Sequence, residues 1–245
     1  MAATPVLSIQ NWACGYLDEP IVKDFSFDLE PGKIACIVGS NGAGKSTLLR
    51  SLFGMIKRFS GELRFFDQPI ENMPAPRRMA MGMSFVPQGR CNFPYLTVEE
   101  NMELATYTLP KAEAAIAVQA QVEKFDILER KWKDRASNLS GGEQQIVEMA
   151  MALAVSPRLL LIDEPSLGLS PKMRTDVFAK IKSLADDDIS VIMVEQNVRG
   201  GLNISDVAVV MDLGRKIMEG SASEILNDPR ISSVFLGGAP KEQAP

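Results

Sequence analysis

The stretch Gly39-Ser40-Asn41-Gly42-Ala43-Gly44-Lys45-Ser46 reads G-x-x-x-x-G-K-[ST], a spacing suited to holding phosphate. Glycines let the backbone bend until successive N–H groups converge on one anion, and a helix that starts there adds the positive end of its dipole. Lys45 supplies a mobile cation for β- and γ-phosphates, and the Ser46 hydroxyl, with Thr47 behind it, can ligate Mg²⁺. The apolar run 34–38 precedes the loop and a helix-compatible run 47–53 follows it, which is the context the motif needs.

Two further clusters carry chemistry. Leu139-Ser140-Gly141-Gly142-Glu143 precedes a second predicted helix, so the Ser140 hydroxyl and the Gly141 and Gly142 N–H groups form another anion-binding helix start. Leu159-Leu160-Leu161-Ile162 ends in the adjacent acids Asp163 and Glu164, at the carboxyl end of a strand, where open α/β sheets take their ligands. Neighbours on a strand point to opposite sides, so the two acids suit different tasks. The chain has no histidine, which leaves any acid–base work to carboxylates, amides, hydroxyls and lysine.

These groups need elements to position them. Short strands separated by turns are expected over 6–38, a hairpin-like stretch over about 60–70, and a short strand at 83–86 stopped by Pro87. A helical pattern runs from Val98 to about Lys133, with Val98, Met102 and Ala105 spaced for one face. Helix is expected again at 143–155 and 172–185, strand at 158–163 and 190–194, and a terminal hairpin at 207–211 with 216–219. Strands and helices alternating around apolar strands predict a doubly wound α/β fold.

Composition bounds the rest. With 245 residues, 23% charged and 46% hydrophobic, the chain has ordinary globular usage and enough length for a substantial core. Its formal net charge of -5 opposes binding to a polyanion, so nucleic acid is not an expected partner. The cysteines, Cys14, Cys36 and Cys91, fit no paired metal spacing and read as reduced thiols of a cytosolic protein. No eighteen-residue apolar run exists, and the first residues lack the pattern of a signal peptide; the chain is expected to stay inside the cell and to span nothing.

Taken together, the phosphate loop, the Ser140-Gly141-Gly142 helix start and the Asp163-Glu164 strand, with Gln88 between them, resemble the ATP-binding-cassette (ABC) family across essentially the whole chain. That resemblance implies an α/β fold with a P-loop NTPase core, an antiparallel β subdomain and an inserted α-helical subdomain. It also implies a cassette over 6–237, the insert at about 89–140, and a flexible tail over 238–245. ATP and Mg²⁺ would be the cofactors. Asp163 would hold the ion through water, with Ser46 and Gln88 also at the metal. Glu164 would be the general base, Lys45 would serve catalysis as well as binding, and Tyr16 would stack on adenine. Ser140, Gly141 and Gly142 would reach the nucleotide of an opposing subunit, so hydrolysis would need a pair of such chains.

Two departures narrow the resemblance. Where the family usually continues Ser-x-x-Asp, this chain reads Ser166-Leu167-Gly168-Leu169; where most members carry a histidine at the γ-phosphate, it has Gln196. An amide can donate a hydrogen bond there but can neither charge nor shuttle a proton. Both features, with Pro94-Tyr95-Leu96-Thr97-Val98-Glu99-Glu100-Asn101, look like the smaller ATPase subunit of branched-chain amino acid importers, whose relatives import urea and short amides. The expected partners are a second, non-identical ATP-binding subunit, two integral membrane permease subunits and, indirectly, an external solute-binding protein, with the chain peripheral on the inner face of the membrane. A soluble ABC ATPase acting on nucleic acid fits poorly, since the chain lacks a heptad array and is acidic. A cassette exporting lipid, lipopolysaccharide or drug is disfavoured by Gln196 and the 166–171 stretch.

Overall fold

The computed structural model describes residues 4–89 and 91–231. The expected tail at 238–245, and the end of the expected 6–237 cassette, lie outside them. In chain order the elements are β1 (Leu7–Gly15), β2 (Val22–Leu29), β3 (Ile34–Gly39), α1 (Lys45–Leu52), β4 (Lys57–Phe65), β5 (Gln68–Pro69), α2 (Ala75–Ala80) and β6 (Met83–Val86). There follow α3 (Val98–Ala105), α4 (Lys111–Lys124), α5 (Asp126–Lys131), α6 (Gly141–Leu153), β7 (Leu159–Asp163) and α7 (Pro171–Ser183). The described chain closes with β8 (Ser190–Glu195), α8 (Val198–Ile204), β9 (Val207–Asp212), β10 (Arg215–Ser221) and α9 (Ala222–Asn227).

The strands form two sheets. A four-stranded antiparallel sheet has the order β2-β1-β4-β5, and a six-stranded sheet the order β10-β9-β3-β8-β7-β6, parallel except for the edge strand β10. Every residue of β3, β7 and β8 is buried, as expected of strands covered on both faces. The period of two then distributes side chains between two cores. Ile34, Cys36, Val38, Leu160, Ile162, Val191 and Met193 pack on the helices, among them Val147 and Ala150 of α6 and Phe178 and Ile181 of α7. Ala35, Ile37, Leu159, Leu161, Ile192 and Val194 face Leu48, Leu49 and Leu52 of α1 and the antiparallel sheet's Trp12, Phe25, Leu63 and Phe65. The molecule is thus three-layered, with the parallel sheet in the middle.

The helical pattern expected from Val98 to about Lys133 is divided among three helices. Thr97 starts α3 with a capping box closed by Glu100, but the helix ends at Thr106, and the segment up to Pro110 reorients the chain before α4. Phe125 (φ -123°, ψ 93°) separates α4 from α5 and is fully buried in the helical core. Helices α2, α8 and α9, each 6 or 7 residues long, are too short for periodicity to reveal. The 60–70 hairpin exists as β4 and β5, joined through Phe66 and Asp67.

Candidate functional site

Strand β3 leaves the centre of the parallel sheet and delivers the phosphate loop to its carboxyl end. Gly39 is required there by crowding, because a Cβ would lie 2.3 Å from the Met211 carbonyl oxygen of neighbouring β9. Gly44 is required by conformation, since it caps α1 in the left-handed region (φ 94°). Lys45 is buried and donates its Nζ to the loop's own carbonyls, Gly39 O at 2.9 Å and Ser40 O at 3.1 Å. Burial pulls its pKa below the usual lysine value, while Glu164, Asp163 and Glu195 oppose the shift.

The two strand acids separate as expected, though by more than strand alternation. Asp163 is the last residue of β7, and Glu164 beyond it takes a left-handed backbone (φ 51°) that a non-glycine residue adopts only at a cost of about 1–3 kcal/mol. Its N–H is held by Val194 O at 3.0 Å. Asp163 Oδ1 accepts the Ser46 hydroxyl at 2.8 Å. Asp163 Oδ2 is buried with no hydrogen bond, its nearest cation being Arg50 at 3.9 Å. Burial raises the Asp163 pKa, and the Ser46 hydrogen bond and Arg50 oppose the rise.

Glu164 faces a different set of groups. Its Oε2 accepts Gln88 Nε2 at 2.9 Å, and both its carboxylate oxygens lie 2.8 Å from Gln196 Nε2. Two amides from separate loops therefore grip one carboxylate. A cavity of about 360 Å³ unites this cluster with the phosphate loop, since Asn41, Gly42, Ala43, Gly44, Lys45, Ser46 and Thr47 line it together with Gln88, Glu164 and Gln196. A hydroxyl, a carboxylate and a carboxamide form an oxygen donor set of the kind that suits a hard divalent cation. Among the described residues no group of three or more His, Cys, Asp or Glu gathers for a metal, here or elsewhere. A larger groove of about 740 Å³ lies among the helices, lined by Tyr107, Val118, Val122 and Trp132 together with charged side chains such as Glu99 and Lys111, and contains none of the phosphate-loop residues.

Tyr16 and the Ser140-Gly141-Gly142 start lie outside this cavity, and the expected Gly39, Ser40 and Asp163 adjoin it without lining it. Tyr16 follows β1, is 52% exposed and does not line the cavity, whereas Ile21, which sequence spacing did not single out, does. Ser140 caps α6 through a capping box with Glu143, and Gly142 is pressed against Met173. Gly141 lines a separate cavity of about 320 Å³ with Gly89, Glu164 and residues 167–169. The chain thus does not bring its own Ser140-Gly141-Gly142 start to its own phosphate loop.

The ABC transporter family profile matches residues 22–167. The chain belongs to the ABC transporter family. This cassette is 36% identical over 233 residues to the high-affinity branched-chain amino acid transport ATP-binding protein BraG of Pseudomonas aeruginosa, covering 95% of the chain and 100% of that relative. It is 38% identical over 224 residues to the probable branched-chain amino acid transport ATP-binding protein LivF of Archaeoglobus fulgidus, with 91% and 95% covered. A solved ATP-binding cassette of an ABC transporter in its ADP conformation superposes with a TM-score of 0.78 at 27% identity, covering 96% of this chain and 99% of that one. The cassette is accordingly an ATP-binding, ATP-hydrolysing transporter subunit, built as a P-loop NTPase core with an antiparallel sheet and a helical subdomain. Among the described residues no helix is long and apolar enough to cross a membrane.

One acid of the site region escaped sequence analysis. Glu195 ends β8 and is 1% exposed, with all its hydrogen bonds directed to loops of the site. Its one sequence signal is a charge closing the apolar run Val191-Ile192-Met193-Val194. Asn197, which caps α8 by accepting the Gly200 N–H at 3.2 Å, had a signal of the same kind, an Asn directly before a helical turn.

Proposed function

We propose that this cassette powers uptake of branched-chain amino acids and that Glu164 is the general base of its ATP hydrolysis. The observation that carries the catalytic part is the Glu164 carboxylate, held by the Gln88 and Gln196 amides in one cavity with the phosphate loop. Glu164 takes the proton of the attacking water. Gln88 and Gln196 hold the carboxylate in place, and Gln196 presents a neutral donor where most members have a histidine. Lys45 exchanges the carbonyls of Gly39 and Ser40 for the β- and γ-phosphates.

Mg²⁺ fits the residues present: the buried, unbonded Oδ2 of Asp163 calls for a cation or its water, and the Ser46 hydroxyl and Gln88 carboxamide complete the set. Bound there, the ion would neutralise triphosphate charge. The separate location of Gly141 supports a composite site, in which Ser140, Gly141 and Gly142 serve the nucleotide of a second, non-identical subunit. We assign the cassette to 6–237 with a helical insert at about 89–140, docked on two permease subunits at the inner face of the membrane and served indirectly by an external solute-binding protein. Tyr16 stacks on adenine in this reading, together with Ile21.

The solute assignment rests on the near full-length similarity to BraG and LivF. Deleting the chain in its own cell should abolish high-affinity leucine uptake, with recovery by the wild-type chain and none by Glu164→Gln. Unchanged leucine uptake with lost urea or amide uptake would replace the amino acid reading. Recovery by Glu164→Gln would remove the general base.

A further inference from the structure

Glu195 is not needed to bind nucleotide in the reading above, yet it accepts four hydrogen bonds from two loops. Oε1 takes the Ser166 N–H at 2.9 Å; Oε2 takes the Ser166 hydroxyl at 3.0 Å and the N–H groups of Gln196 and Asn197, both at 3.1 Å. Burial pushes the carboxyl pKa up, and the N–H groups of Asn197 and Ser166 and the Ser166 hydroxyl counter it. A carboxylate so placed is tolerated because its lone pairs are satisfied by donors.

The connectivity of those donors points beyond packing. Ser166 stands two residues after Glu164, and Gln196 is the residue next to Glu195. Gln196 Nε2 in turn reaches both oxygens of Glu164 at 2.8 Å. A closed ring results, running from Glu195 through the Ser166 loop to Glu164, across to the Gln196 amide, and back along the chain to Glu195. We propose that Glu195 is a positioning residue for hydrolysis, pinning the Ser166 and Gln196 loops so that the Gln196 amide stays locked on the Glu164 carboxylate. This rests on the reading that Glu164 and Gln196 serve hydrolysis. A glutamine at 195 would be nearly the same size, but one end of it is a donor, and it must face donors already aimed at the site.

The test is single-turnover ATP hydrolysis by the chain in its assembled transporter with the partner subunit's site disabled, with ATP affinity and thermal midpoint measured on the same samples. Glu195→Gln should slow hydrolysis by about tenfold or more, as expected of a catalytic contact moved by a fraction of an ångström, and leave ATP affinity within about threefold. Glu195→Asp, which keeps the charged acceptor, should recover part of that rate. Because Glu195 acts through Gln196, the double variant Glu195→Gln/Gln196→Ala should be no slower than the slower single variant. If Glu195→Gln does not fold, Ser166→Ala removes one of the four donors and should still slow hydrolysis about two- to threefold, again without adding to Gln196→Ala. A slow Gln196→Ala beside a wild-type rate for Glu195→Gln, or for Ser166→Ala where that stands in for it, overturns the proposal alone, as do losses that simply multiply. A wild-type rate for Gln196→Ala overturns the functional reading of Gln196 and the proposal with it.

Discussion

The phosphate loop and the Glu164 cluster line one cavity but are built in different ways. The loop is one contiguous stretch whose shape follows from backbone: left-handed glycines, a helix start, and a lysine that folds onto carbonyls five and six residues behind it. The Glu164 cluster is made of side chains that meet only after folding, Gln88 lying 76 residues and Gln196 32 residues from Glu164. Local construction yields a binding surface set mainly by its own backbone, with Met211 of β9 as a distant wall against Gly39. Assembly from three loops yields a group whose aim depends on how β6, β7 and β8 stand beside one another.

That contrast separates binding from rate. The largest effect belongs to the cluster: Glu164→Gln should lower single-turnover hydrolysis by about 10²–10⁴-fold while ATP affinity stays within about threefold. Equal losses in both would break the division. On the loop side, Lys45→Ala should weaken ATP binding about 100-fold by calorimetry, the scale of a lost charge-assisted contact to phosphate, with an unchanged thermal midpoint for the nucleotide-free protein. A normal affinity would remove the lysine from the binding surface.

A smaller change sharpens the comparison from within the cluster. Gln196→His restores the residue most family members carry, and in an assembled transporter whose partner site is disabled it should raise turnover by about two- to tenfold, since an imidazole can carry charge where the amide cannot. An unchanged rate would mean that the group at 196 is not limiting. The least perturbing test is thiol reactivity. Cys36 lies in β3 beneath the loop, where burial raises its pKa far above normal, and Cys14 is pushed up to about 11 by burial. Cys91 is exposed, just after Gln88, with its pKa raised more modestly by burial and Glu148. A thiol reagent at mildly alkaline pH should therefore modify Cys91 in the folded chain and reach Cys14 and Cys36 only on unfolding. Ready reaction at Cys36 would show that the sheet under the loop is not rigid.

The sequence by itself determined what short-range spacing can encode. The phosphate loop, the Ser140 capping box and the acids closing β7 each lie within a few residues, where turn and cap preferences act directly. Buried strands were legible for the same reason, as apolar runs between breakers. Their order was not. β3, β7 and β8 are all fully buried and chemically alike, so nothing local tells β3 to stand between β8 and β9. The breaks at Thr106–Pro110 and Phe125 were missed because a helical period persists across a change of direction; Phe125 leaves helical geometry as it packs into a core made by distant elements. The tertiary structure alone decided that Gln88 and Gln196 grip Glu164, that Tyr16 stands outside the phosphate cavity, and that Glu195 joins two loops of the site. Those relations depend on strand register and neighbour order, which arise from the packing of the whole sheet and leave no periodic trace along the chain.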